Sequence, residues 1–147
     1  VYAYGEGLIV RADDNAAYPD LTPLRDQVVG VQAGTIFYDQ LNKLGIFKEI
    51  RTYDSIGEMV RDLSLGRIKA AVGDQPVVAY QISQKLFKGV KLAPDYIPTH
   101  VGDVCLVVRK GDAQTLERLN TAIASIKADG TLNSILKKWG LEAQVTP

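Results

Sequence analysis

Cysteine and histidine are scarce in this chain. Among its 147 residues there is one cysteine, Cys105, and one histidine, His100. A lone cysteine excludes an intrachain disulfide and a thiolate metal cluster, and a lone histidine excludes a metal site built from several imidazoles. Cys105 lies in an apolar run, where we expect a buried and inert thiol. We expect His100 to be a solvated loop residue rather than a catalytic base.

The chain also lacks an excess of either charge and any long hydrophobic run. Its 17 basic residues balance 17 acidic ones, which removes the electrostatic argument for a nucleic-acid or anionic-membrane partner. Apolar stretches such as residues 104–108 are too short to span a bilayer, and the first residues lack a basic segment followed by an apolar signal core. At 46% hydrophobic and 23% charged, the composition is that of a globular protein. We therefore expect a mature chain or a fragment.

Strand and helix patterns alternate between residues 28 and 84. The β-branched run at residues 28–33 precedes a helical pattern over residues 36–44, and the alternation continues to residue 84. Ser55 and Glu58 match a capping box, and Gly45 and Gly66 are placed to end helices. This alternation predicts an α/β fold, with parallel strands flanked by helices.

The last third of the chain is predicted to form a strand and two helices. Residues 104–109 are typical of a buried strand, Asp112 is placed to cap a long helix, and Thr131 to cap a shorter one that Gly140 ends. Residues 105–109 echo residues 7–11 in sequence. Two such strands bracketing an α/β region can form a hinge, although chance similarity of short apolar strands explains the echo equally well.

Two predicted strands end in polar residues. Gly34 and Thr35, a natural helix N-cap, follow residues 28–33, and residues 68–73 lead directly into Asp74. If the strands are parallel neighbours, both ends lie at one edge of the sheet. A helix start attracts an anion and a carboxylate attracts a cation, so this edge suits a zwitterion such as an α-amino acid. Asp74 also has a structural interpretation, as the N-cap of the following helix.

Taken together, these motifs resemble the solute-binding proteins of amino-acid ABC transporters, bacterial extracellular family 3, which have a two-lobed type II periplasmic-binding fold. The resemblance is carried by residues 7–11, 29–35, 53–55, 65–74, 107–112, 126–131 and 137–140. It implies a hinge strand and a remnant of lobe 1 at residues 1–11, a complete lobe 2 at residues 12–101, and a second hinge strand with C-terminal helices of lobe 1 at residues 102–147. Most of lobe 1 is then missing.

The resemblance also implies a ligand site on lobe 2. Its members are Gln32, Gly34, Thr35, Ile36 and Phe37 from the first turn, and Asp74 as the partner of the ligand's α-ammonium group. Members of the family usually carry a hydroxyl residue and a polar residue where Ile36 and Phe37 stand, so here the main-chain N–H groups are left to meet the anion. No cofactor, metal or catalytic residue is implied.

The function implied by the resemblance is non-enzymatic. A small solute, such as an amino acid, binds between the lobes and is delivered to an ABC transporter permease, in the periplasm or from a lipid anchor outside the cell. One alternative is an enzyme resembling cyclohexadienyl dehydratases, whose general acid would be Asp74, Glu49 or Asp54. Another is the sensing domain of a membrane receptor. The missing part of lobe 1 predicts exposed apolar faces, and hence dimers, exchange of segments between chains, or aggregation.

Overall fold

The structure of the protein, a computed structural model, describes residues 1–139 and residue 141. Its elements in chain order are β1 (Tyr2–Arg11), a 3-10 turn (Thr22–Leu24), β2 (Val28–Gln32), α1 (Ile36–Leu44), β3 (Glu49–Tyr53), α2 (Ile56–Ser64), β4 (Ala70–Asp74), α3 (Gln75–Ser83), β5 (Val90–Leu92), β6 (Val101–Val104), α4 (Ala113–Ala128) and α5 (Thr131–Lys138). They form two compact units: residues 5–100, and residues 1–4 together with the chain from residue 101.

Residues 5–100 contain a mixed sheet with the strand order β3-β2-β4-β1-β5. Strand β2 pairs in parallel with β3 and β4, whereas β1 runs antiparallel to β4 and β5. Helices α1 and α2 connect the three parallel strands. The α/β fold predicted from the alternation is therefore confirmed, and its parallel strands β3, β2 and β4 form one side of the sheet.

Hydrophobic cores cover both faces of this sheet. Leu8 of β1 packs in one core with Phe37 of α1, and its neighbour Ile9 packs in the other with Met59 of α2. Successive residues of a strand point to opposite faces, so the continuous apolar run in β1 supplies both cores. The two cores hold α1 and α2 on opposite sides of the sheet.

Most predicted helix ends agree with the structure. The Ser55 hydroxyl accepts a hydrogen bond from the Glu58 N–H at 3.2 Å, and the Asp112 carboxylate accepts one from the Thr115 N–H at 3.0 Å. Gly45 ends α1 as predicted. These short-range bonds satisfy N–H groups that have no partner within the helix.

The predicted strand over residues 104–109 is largely wrong. Strand β6 ends at Val104, residues 105–109 lie outside any strand, and Val107 is 94% exposed. The predicted burial of Cys105 is wrong as well, because this residue is exposed. An apolar run becomes a buried strand only where neighbouring strands pair with it. Among the described residues β6 pairs only with β1. Residues 105–109 resemble residues 7–11 in sequence, but they do not form a strand as residues 7–11 do.

Helices α4 and α5 belong to the second unit. Leu132 and Leu136 of α5 form a small core with Val1 and Tyr2 packed against it, whereas α4 buries none of its residues. Among the described residues, no helix has the length and apolar character needed to cross a bilayer.

The prediction that Thr131 caps α5 is wrong. Gly130 occupies the N-cap position, and the Asp129 carboxylate accepts a hydrogen bond from the Thr131 N–H at 2.8 Å. An aspartate just ahead of a helix can take over the capping role because its oxygens reach the first N–H groups. Gly140, predicted to end this helix, lies outside the described residues.

Asp14 ties the loop after β1 to the start of β4. Its carboxylate accepts hydrogen bonds from the Lys69 ammonium at 2.6 Å, the Tyr18 hydroxyl at 2.9 Å and the Ala16 N–H at 3.0 Å. Burial alone would raise the pKa of Asp14, but the bonds from Lys69, Ala16 and Tyr18 outweigh it and lower the pKa from 3.8 to about 2. The folded protein therefore stabilises the ionised carboxylate.

We expect Asp14→Asn to lower the free energy of unfolding at pH 7 by about 1 to 2 kcal/mol, because a charge-assisted contact with the partly exposed Lys69 is lost. A carboxylate whose pKa is depressed on folding stabilises the protein above its unfolded pKa and loses that contribution as pH falls through its folded pKa. The difference between wild type and variant should therefore shrink between pH 4 and about 2. Urea titrations across this range measure it, and a difference independent of pH would contradict the assignment.

Candidate functional site

The carboxyl ends of β2 and β4 lie side by side. The two strands pair in parallel with Val31 opposite Val72, so the prediction that they are neighbours is confirmed. Gln32 ends β2 and Asp74 ends β4. Helices α1 and α3 begin shortly after these strand ends. We call this part of the sheet, from Gln32 to Asp74, the carboxyl edge.

The turn between β2 and α1 is shaped by Gly34 and Thr35. Gly34 has a φ of +73°, and no atom lies within 4 Å of the position a Cβ would take. Glycine is therefore needed for its backbone angle, not for a close approach. Thr35 occupies the predicted N-cap position, but its hydroxyl makes no cap bond and instead donates to the Gln32 carbonyl oxygen at 2.8 Å. Having donated its proton, the hydroxyl oxygen remains an acceptor.

Ile36 and Phe37 point in different directions. The Ile36 side chain is 66% exposed, whereas Phe37 is 6% exposed and belongs to the core under α1. The Phe37 side chain is therefore a core group, and this residue can reach a ligand at the carboxyl edge only through its backbone. The first N–H groups of a helix have no partner within it, so those of Ile36 and Phe37 are available at this end.

Asp74 ends β4 as a half-buried residue at the N-cap position of α3. Asp74 is expected to be the N-cap of α3, and it does occupy that position. Its side chain, however, makes no cap hydrogen bond. Within residues 1–139 and 141, its carboxylate has no hydrogen-bond or ion-pair partner. This carboxylate is therefore free to take a cation.

Gln32 is the least defined of the predicted site residues. It is half-buried at the end of β2, and its side-chain amide donates to the Asp54 carbonyl oxygen at 3.4 Å. This long bond links the ends of β2 and β3. The structure thus brings Gln32, Gly34, Thr35, Asp74 and the start of α1 to one edge, while the Phe37 side chain points away.

Glu6 is a charged residue at this edge that the motifs did not reveal. It lies opposite Asp74 in the antiparallel pairing of β1 with β4, so the two side chains share a face of the sheet. Only 2% of Glu6 is exposed. One sequence feature could have pointed to Glu6: it is a glutamate between Gly5 and Gly7, directly before an apolar run.

Four hydrogen bonds hold the Glu6 carboxylate. Oε1 accepts from the Tyr96 hydroxyl at 2.8 Å, from the Thr99 N–H at 2.7 Å and from the Thr99 hydroxyl at 2.8 Å, and Oε2 accepts from the His100 N–H at 3.2 Å. Burial alone would raise the pKa of Glu6, but the bonds from Thr99 and Tyr96 outweigh it and lower the pKa. Burial and the Glu6 charge raise the pKa of Tyr96. The ionised Glu6 carboxylate therefore stands on the strand next to that of Asp74.

No group of three or more histidine, cysteine, aspartate or glutamate side chains is arranged to hold a metal ion in the described part of the chain. The carboxyl edge thus offers two carboxylates, helix N–H groups and one hydroxyl oxygen. These are groups that bind an organic ion by hydrogen bonds and charge.

Comparison with known sequences identifies relatives over almost the whole chain. The profile of the bacterial extracellular solute-binding proteins, family 3, matches residues 1–142. The L-cystine-binding protein TcyJ of Escherichia coli strain K12 is 31% identical over 134 residues, which cover 91% of this chain and 46% of that protein. The ABC transporter arginine-binding protein 1 of the same strain is 30% identical over 140 residues, covering 92% of this chain and 56% of the relative.

The fold also matches solved structures. The crystal structure of the ancestral amino acid-binding protein AncCDT-1, a precursor of cyclohexadienyl dehydratase, superposes with a TM-score of 0.69 and 28% identity, covering 93% of this chain and 57% of that one. The chain thus spans about half the length of the relatives it matches.

We expect Gly34→Ala to lower the free energy of unfolding by about 1 kcal/mol, because an alanine is strained at positive φ. Gly57→Ala is the matched control. Gly57 lies in α2, and a Cβ there meets only the Ser55 hydroxyl at 3.9 Å. This control should raise stability by about 0.5 to 1 kcal/mol, since alanine is the better helix former. Chemical denaturation measures both, and equal effects of the two variants would refute the role of the Gly34 backbone angle.

Proposed function

Because this chain belongs to the bacterial extracellular solute-binding proteins, family 3, we propose that it binds an amino acid at the carboxyl edge. The observation that carries the proposal is the Asp74 carboxylate, which is unpartnered among the described residues and stands beside the start of α1. An anionic side chain attracts an ammonium group, and a helix start attracts a carboxylate. An α-amino acid presents both groups on one carbon.

In this proposal each group at the edge has its own role. Asp74 pairs with the α-ammonium group, and the Thr35 hydroxyl oxygen accepts a second hydrogen bond from it. The N–H groups of Ile36 and Phe37 bind the α-carboxylate. Gly34 shapes the turn, and Gln32 borders the solute from the end of β2. A charge-assisted bond of the Asp74 type contributes about 1.5 to 3 kcal/mol.

Glu6 supports the proposal that the α-ammonium group of the ligand binds beside Asp74. Its buried carboxylate lies opposite Asp74 in the β1–β4 pairing, and its pKa is lowered. Two negative charges on neighbouring strands attract an ammonium group more strongly than one does, and a poorly hydrated surrounding screens that attraction less than water would. The names of the relatives, which bind cystine and arginine, also favour an amino acid.

The wider transport role is inferred from the family. We infer that residues 12–101 act as one lobe, and that β1 and the segment after residue 101 connect it to a second lobe, to which residues 102–147 contribute. Closure on the solute then shifts the protein toward a state that an ABC transporter permease recognises. The family is extracellular by its description, and we place this chain in the periplasm or on a lipid anchor outside the cell.

An enzymatic role on the same fold is less well supported. AncCDT-1 is named as an amino acid-binding precursor of a dehydratase, so the fold itself accommodates both activities. Of the candidate acids, Glu49 lies at the other end of its strand and pairs with Arg51 at 3.0 Å. Asp74 and Asp54 remain near the carboxyl edge, and we assign Asp74 to binding rather than to proton transfer.

We expect Asp74→Ala to weaken amino-acid binding at least about tenfold, because the α-ammonium group loses a charge-assisted partner. Calorimetric titration of the complete protein that contains this chain, with cystine and arginine as the first amino acids tried, measures the effect. Asp13→Ala is the matched control, since Asp13 is an exposed carboxylate that pairs with Arg11 at the other edge of the sheet. Unchanged affinity in Asp74→Ala would remove Asp74 from the site.

The second unit exposes apolar side chains that are expected to drive self-association. Val107 is almost fully exposed, Leu106 and Trp139 are about half exposed, and α4 buries no residue. We propose that the chain covers these groups by forming dimers or by exchanging segments between copies.

Sedimentation velocity at increasing concentration should show a dimer or larger species for this chain. Val107→Asp should shift the distribution toward monomer, because it introduces a charge into the apolar surface. Ile97→Asp is the control, as Ile97 is an exposed apolar residue of the other unit. A monomer at all concentrations, with no binding of a hydrophobic dye, would contradict the proposal.

A further inference from the structure

A cavity of about 210 Å³ lies within residues 5–100, beside Glu6. Its walls combine apolar side chains with a few polar ones: Leu21, Phe37, Leu41, Leu44, Val72, Glu6, Thr99, His100, Gln40 and Lys43. Asp74 does not line it, but the cavity adjoins the carboxyl edge and shares Glu6 with it.

One charged group in the cavity wall is itself buried. Glu6 is 2% exposed, and its lowered pKa means that it is ionised at neutral pH. A carboxylate oxygen can accept about two hydrogen bonds. Oε1 already accepts three, whereas among the described residues Oε2 accepts only one, from the His100 N–H at 3.2 Å. Oε2 therefore retains capacity for one more donor.

The lysine of the cavity wall, Lys43, lies at its rim. Lys43 is exposed near the end of α1, where water screens its charge, and Gln40 is half-buried one turn before it. The Glu6 carboxylate is ionised and surrounded by apolar side chains. It therefore favours a ligand that has a positively charged hydrogen-bond donor and an apolar stem.

We propose that this cavity, the Glu6 cavity, binds a primary ammonium group carried on a short alkyl stem. The ammonium donates to Glu6 Oε2, and the stem packs against Leu41, Phe37 and Val72. A stem of about four carbons fits within this volume. This site goes beyond the amino-acid function, because it uses neither the Asp74 carboxylate nor the first N–H groups of α1.

The probe for this site is n-butylammonium chloride, with 1-butanol as a neutral ligand of the same shape and sodium chloride as the salt reference. The Thr99 and His100 amides donate to Glu6, so their NMR signals report on this carboxylate directly. We expect saturable shifts at these two amides with a Kd of about 1 mM or tighter. Butanol should bind at least about tenfold more weakly, because it offers no charge.

Three variants test the assignment. Glu6→Gln should weaken butylammonium binding at least about tenfold, since the acceptor loses its charge. Leu44→Trp should abolish binding by filling the cavity, and Leu86→Trp, at an exposed position that does not line the cavity, is its matched control. Lys43→Gln should strengthen binding by about twofold at low salt, because a like charge is removed from the rim.

The outcomes separate this inference from the proposed function. Asp74→Asn should weaken butylammonium binding less than Glu6→Gln does, because Asp74 adds to the local negative charge without contacting the ammonium group. Loss of binding in Asp74→Asn would overturn the assignment to the Glu6 cavity, and so would equal binding of butanol or unchanged affinity in Leu44→Trp. If Glu6→Gln does not fold, Leu44→Trp and Lys43→Gln still decide the question.

Discussion

The parallel pairing of β2 with β4 is the constraint on which the proposed site depends. It brings Gln32 and Asp74, which are far apart in the chain, to the same edge of the sheet. Phe37 and Leu41 then anchor α1 in the core beneath it. Because the helix is held by these side chains, its first N–H groups stay at the edge where β4 ends. The packing that buries Phe37 and Leu41 therefore also fixes the position of the N-terminus of α1.

Glu6 shows how a buried charge is sustained beside this edge. Burial disfavours the ionised form, yet four donors, from Tyr96, Thr99 and His100, outweigh that cost. These donors also tie the loop before β6 to β1. The same hydrogen bonds thus position a loop and maintain a negative charge next to Asp74, so electrostatics and local order are coupled here.

Short-range signals in the chain were reliable guides to its elements. The bonds at Ser55 and Asp112 involve residues three positions apart, so both partners stand close together in the local sequence. The run at residues 104–109 has the composition of a buried strand but ends up mostly exposed, since burial requires partner strands that local pattern does not contain. Thr35 falls between these cases. Its N-cap position followed from sequence, whereas its hydrogen bond to Gln32 depended on the shape of the turn.

For the site, the amino-acid sequence alone was enough to place Gly34, Thr35 and Asp74 at strand ends, because strand and helix periodicity and turn residues are local properties. Folding decided the rest. It withdrew the Phe37 side chain into the core, left the Asp74 carboxylate without a partner among the described residues, and brought Glu6 opposite Asp74. These outcomes depend on contacts between distant segments, namely the pairing of β1 with β4 and the packing of α1 on the sheet, and no local pattern encodes them.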